Sequence, residues 1–131
     1  MGKINLQKVI VGGLVAGVVL NVVDYLLFGV VLKKDLPVMS TNTILWFVLM
    51  DFLYGIFLVW FYAAIRPRFG PGPRTAVYAG LAIWVLYGLL HALMEAPFHM
   101  FPTNVTVIST VVALFEWPIA VVAGAKLYTE M

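Results

Sequence analysis

The chain contains no cysteine. That excludes disulfides, thiol redox chemistry and zinc–thiolate sites, and leaves the redox compartment open. Charge is nearly as scarce. Lys, Arg, Asp and Glu make up 11% of the 131 residues, against about 25% in a soluble domain. With 63% hydrophobic residues, the solvent this chain is built for is lipid. The net charge of +2 is small and the basic residues sit at the ends of apolar runs, which gives no case for nucleic acid. A single integral membrane domain over residues 1–131 is expected.

Four apolar runs, residues 9–32, 43–65, 75–96 and 107–127, are long enough to cross a bilayer at about 1.5 Å per residue. The first is too long for a signal-peptide core. It is followed by Lys33-Lys34-Asp35 rather than a small-residue cleavage pattern, so it reads as a retained span. Residues 36–42 form a loop containing Pro37, in which Ser40, Thr41 and Asn42 are candidate N-caps for the second span. Residues 66–74 hold three prolines and two glycines and are expected to be loop throughout. Pro97 predicts an end or a kink in the third span, and Pro102 to Thr106 a third loop. The fold class is therefore all-α, a four-transmembrane-helix bundle. Lys3, Lys8, Arg66, Arg68, Arg74 and Lys126 fall on one side and only Lys33 and Lys34 on the other. This bias predicts that both termini and the Arg-rich loop are cytoplasmic. The sequon Asn104-Val105-Thr106 is of a length that arises by chance.

The two helical hairpins can be laid on each other. Gly13 to Asp24 aligns with Gly80 to His91, and Phe47 to Phe52 with Val112 to Trp117, so Asp24 matches His91 and Asp51 matches Glu116. One reading is a duplication related by an axis along the membrane normal. The other is chance similarity between generic apolar spans.

Ionisable residues inside a span are costly and mark functional sites by default. Here Asp24, Asp51, His91, Glu95 and Glu116 lie within the apolar runs, with no Lys or Arg inside any of them. Counted inward from the span ends, the three acids Asp24, Asp51 and Glu116 fall about 12–14 Å below the outer surface, with His91 near that level and Glu95 higher. Their faces carry small residues: Gly13, Gly17, Asn21 and Asp24 in the first span, Gly80, Trp84, Gly88, His91 and Glu95 in the third, Ala113, Glu116, Ala120 and Gly124 in the fourth. Small residues let membrane helices approach, so these faces are expected to point into the bundle. Like charges in a low dielectric cannot all stay ionised, and the lack of internal cations favours a site that takes up protons or a cation.

The sharpest form of that reading is a divalent metal held by Asp24, Asp51, His91 and Glu116, with Glu95 as an outer gate or fifth ligand and Asn21, Tyr54 and Tyr87 as supporting partners. The blander form is a hydrogen-bonded polar core that fixes helix register. His91-x-x-x-Glu95 does not match the Glu-x-x-His of di-metal bundles. His91 and His99, eight residues apart on one helix, cannot clamp one haem iron from both sides. Gly13-x-x-x-Gly17 offers a dimer face as an alternative to its place inside the bundle.

The run Tyr62 to Ala76 resembles the central loop of small four-span bacterial membrane proteins of unassigned function. Gly12 to Gly17 followed by Asn21-x-x-Asp24 is similar to their first span. The resemblance covers most of the chain and implies a bacterial inner-membrane protein without implying an activity. The lipid bilayer is then the first partner. Ion handling is the leading function, an accessory subunit of a homo-oligomer or larger membrane complex the second, and a membrane-embedded metal-dependent enzyme the third.

Overall fold

A computed structural model of the chain describes residues 3–130; Met1, Gly2 and Met131, the ends of the expected domain, lie outside the described residues. The regular elements are all helical. They form four helices, Leu6–Val31, Thr41–Phe69, Pro73–Phe98 and Thr103–Ala125, each long and apolar enough to cross a membrane. The protein is a multi-pass membrane bundle.

Local chemistry sets the helix starts. The Asn5 side chain accepts a hydrogen bond from the Lys8 amide at 3.2 Å and caps the first helix. Of the three candidate caps before the second helix, Ser40 serves, accepting from the Thr43 amide at 3.2 Å. The third helix opens on Pro73, which needs no amide hydrogen at that position.

The expectation of a loop over residues 66–74 is corrected. The second helix runs on to Phe69 with Pro67 inside it, and only Gly70, Pro71 and Gly72 separate it from the third. Pro67 lacks the amide hydrogen that would reach the Ala63 carbonyl, and the loss is confined to one bond near the end of the helix. The turn itself is made by Gly70 and Gly72, at φ 89° and 115°, values that disfavour any side chain. The third helix ends as expected around Pro97: its last α-helical residue is Glu95, a 3₁₀ turn follows over Ala96–Phe98, and His99 adopts a left-handed φ of 51°.

The first helix packs against the second and fourth, and the third against the second and fourth, which sets the first and third at opposite corners. Three close crossings hold the bundle, one of them where a Cβ on Gly80 would lie 2.5 Å from the Pro118 Cα. A Cβ on Gly55 would lie 2.5 Å from the backbone of both Gly13 and Gly17, and a Cβ on Gly12 would lie 2.5 Å from the carbonyl oxygen of Gly124. Backbones meet there, so only glycine fits. Gly13-x-x-x-Gly17 is thus filled by this chain's own second helix, and its alternative use as a dimer face is excluded.

The main core comprises Val9, Ala16, Leu20, Leu58, Val59, Tyr62, Ala63, Ala76, Ala79, Ala120, Val121 and Tyr128. All of it lies in the half of the bundle that carries the chain ends and the Gly70–Gly72 turn. Tyr128 accepts a hydrogen bond from the Asn5 amide at 3.0 Å, and Tyr62 accepts one from the Gly72 amide at 3.1 Å. Arg66 pairs with Glu130 at 3.2 Å and lies over the Tyr128 ring. The far half has only a small cluster of Leu27, Leu32 and Val105, and the third helix has no buried residue beyond Gly80.

Candidate functional site: a carboxylate group at the boundary of the packed half

Asp24, Asp51 and Glu116 come together from the first, second and fourth helices. The Asp24 carboxyl lies within hydrogen-bonding reach of both Asp51 and Glu116, and Asp51 and Glu116 are close enough to interact electrostatically. Two carboxyl groups in contact need a proton between them or a cation beside them, since like charges at that range repel strongly in a low dielectric. Glu116 is the most enclosed of the three, at 4% exposure, and its Oε2 has no hydrogen-bond partner among the described residues. A buried polar atom with no partner is expensive, and such atoms mark strain, function or an uncounted ligand.

The position of the group follows from the packing. On one side of it the glycine crossings bring backbones together; on the other the second and third helices have no buried residue. Glu116 sits between buried Ala113 and Ala120 on the inward stripe of the fourth helix. Asn21, one turn before Asp24, donates to the Gly17 carbonyl at 3.0 Å and to the Val48 carbonyl at 3.4 Å, so it ties the first helix to the second at this level. Its support of the site is through helix placement.

His91 and Glu95 do not join the acids. His91 Nε2 and Glu95 Oε1 lie 3.1 Å apart, with side chains 55% and 37% exposed. The expected inward face is broken by a π-helical segment, Trp84–Leu89, directly before them. One extra residue in a turn rotates everything after it by about 100°. Gly80 is buried and Trp84 half-buried, but His91, past the π turn, has left the stripe. His99, in the loop, is exposed. Among the described residues no three His, Asp or Glu side chains converge in a way that could hold a metal ion. Asp24 is the member within hydrogen-bonding reach of both other acids.

An aromatic row flanks the acids. The Tyr54 ring stacks on Trp117 at 6.0 Å and meets Tyr87 edge-on at 6.3 Å, so it links the second, third and fourth helices. Tyr54 is one turn from Asp51 and within its electrostatic reach. Trp84 donates through Nε1 to the Thr110 carbonyl at 2.9 Å, fixing the third helix to the fourth where the core ends. Tyr54 and Tyr87 were expected beside the site on spacing alone. The part of Trp117 was not, although its place next to Glu116 was the signal available. Beside this row, Met50, Leu53, Tyr54, Phe57, Leu58, Ile83 and Tyr87 line a groove of about 260 Å³ between the second and third helices.

No protein-family model, curated protein or solved structure matches the chain.

Proposed function

We propose that this protein handles protons or a cation at the Asp24–Asp51–Glu116 group within a membrane. The observation that carries this reading is Glu116: an acid buried at 4% exposure, one oxygen unpartnered, facing Asp24. No Lys or Arg lies near this level to neutralise it, so the charge must be met by a proton or by a cation that arrives. That no three His, Asp or Glu side chains among the described residues converge so as to hold a metal ion supports proton exchange over a resident divalent metal, and His91 and Glu95 drop out of the ligand set. We read the packed half as cytoplasmic, because the basic residues lie there, and the membrane as a bacterial inner membrane on the resemblance of residues 12–24 and 62–76.

The test is a direct count of protons. The purified protein in unbuffered detergent is titrated beside Asp24→Asn and Glu116→Gln, and the same proteins are placed in liposomes with a trapped pH dye. The wild type is expected to bind at least one more proton than either variant across the neutral range, and to dissipate an imposed pH gradient faster. Equal proton counts in all three would sink the reading.

A second reading, an accessory subunit or homo-oligomer, has one observation in its favour. The His91–Glu95 pair lies exposed on a spanning helix, and polar pairs on membrane helices ordinarily face protein or water. Cross-linking from a Cys introduced at His91 in native membranes would capture a neighbour if this reading holds.

A further inference from the structure

We infer that Arg68 and Arg74 hold the phosphate of an anionic phospholipid in the cleft beside the Gly70–Gly72 turn. The inference is independent of the carboxylate group. Arg68 and Phe69, at the end of the second helix, and Arg74 and Tyr78, at the start of the third, line an open cleft of about 620 Å³. Ligand sites run from about 300 to 1,000 Å³, so a headgroup with the first part of its chains can be accommodated.

Three arginines surround this turn, and they are used differently. Arg66 is engaged within the protein: it pairs with Glu130 at 3.2 Å and lies over the Tyr128 ring. Arg68 and Arg74 are exposed, and among the described residues neither pairs with a carboxylate. Arg74 is nonetheless held in place. Its Nε donates to the Tyr78 hydroxyl at 2.8 Å, and its guanidinium lies over that ring, 5.7 Å from the centroid. Both Nη groups remain, and a pair of guanidinium N–H groups matches two oxygens of a phosphate. The turn that brings the two arginines to one cleft is pinned as well. Thr75 Oγ1 donates to the Gly70 carbonyl at 2.6 Å, the Gly72 amide donates to Tyr62, and Phe69 meets Tyr78 edge-on at 6.0 Å.

Two positive charges without an internal partner attract an anion, and their position decides which. The second helix, of 29 residues, is about 43 Å long, close to the about 40–45 Å of a bilayer with its headgroups. Its last turn, which carries Arg68, therefore lies in the headgroup layer, and Arg74 directly precedes the third apolar run. Lipid phosphates fill that layer. Tyr78, one turn deeper than Arg74, and Phe69 beside it leave ring surface exposed, which suits the glycerol backbone and the first acyl carbons. A free phosphate would gain nothing from those rings. A zwitterionic lipid brings its own amine to its phosphate, so the arginines favour a lipid without one.

The full chain in a neutral detergent is titrated with dioctanoyl-phosphatidylglycerol, and bound lipid is followed by native mass spectrometry. Dioctanoyl-phosphatidylcholine and inorganic phosphate are the comparisons. The wild type is expected to bind phosphatidylglycerol saturably, at least about fivefold more tightly than phosphatidylcholine, and to retain it in equimolar phosphate. Arg68→Gln and Arg74→Gln should each weaken binding about fivefold. Arg74→Lys, which keeps the charge without the planar fork, should fall between Arg74→Gln and the wild type. Lys126→Gln removes the same charge from an exposed position at the end of the fourth helix and should leave the affinity unchanged. Arg68 and Arg74 are exposed, so these variants should fold, and circular dichroism checks this. Equal affinity for phosphatidylcholine, displacement of the lipid by inorganic phosphate, or an equal loss in Lys126→Gln would each overturn the inference.

Discussion

The two halves of this bundle are made from equally apolar sequence and pack in opposite ways. In the half with the chain ends, glycine and alanine sit wherever helices cross, and the main core is there. In the other half, Thr41 to Leu49 of the second helix is wholly exposed, and the third helix from Leu81 onward has no buried residue. Burial of apolar side chains does not separate the halves energetically, because lipid solvates them as well as a protein core does. What separates them is close backbone approach, which only small residues allow. The carboxylate group sits at the join, where the helices are still close enough to hold three acids together.

That contrast can be broken first at a crossing. Gly55→Ala would place a methyl 2.5 Å from the backbone of Gly13 and Gly17, and no side chain can move aside. A loss of about 1–3 kcal/mol or more is expected, read as a fall in the unfolding midpoint in detergent. Its counterpart in the open half is Gly29→Ala, where the new Cβ meets only the Tyr25 ring at 3.3 Å. That variant should be neutral or gain up to about 1 kcal/mol from helix propensity. Equal losses at the two positions would remove the distinction between the halves.

A smaller effect is expected from Tyr62→Phe, which takes from the Gly72 amide its acceptor beneath the turn. About 1 kcal/mol should be lost, with faster hydrogen exchange confined to residues 70–75. The smallest belongs to His91→Gln. The pair with Glu95 is exposed, so stability should change by no more than about 0.5 kcal/mol, and proton uptake by the acid group should be unaltered. A large change in proton uptake would restore His91 to the site.

The sequence by itself determined the class of the molecule. Run length and hydropathy define four spans because crossing a bilayer demands about 20 apolar residues regardless of what they pack against. The grouping of Asp24, Asp51 and Glu116 was also legible, since all three lie at a similar depth, Asp24 and Glu116 on stripes of small residues, in helices that stay α-helical up to the acid. His91 and Glu95 were misplaced on the same logic. Their stripe assumes an unbroken 3.6-residue period, and the π turn at Trp84–Leu89 shifts it. No composition signal marks that turn; it goes with Trp84 reaching the Thr110 carbonyl, a contact between residues far apart in the chain. The extra helical turn through Pro67 was hidden for a different reason: a proline count registers a lost hydrogen bond and not that a helix carries one such loss near its end. Which helices pack closely and where a groove is left between them are set by backbone approach at Gly12, Gly13, Gly17, Gly55, Gly80 and Gly124, and distances between helices exist only once the chain has folded.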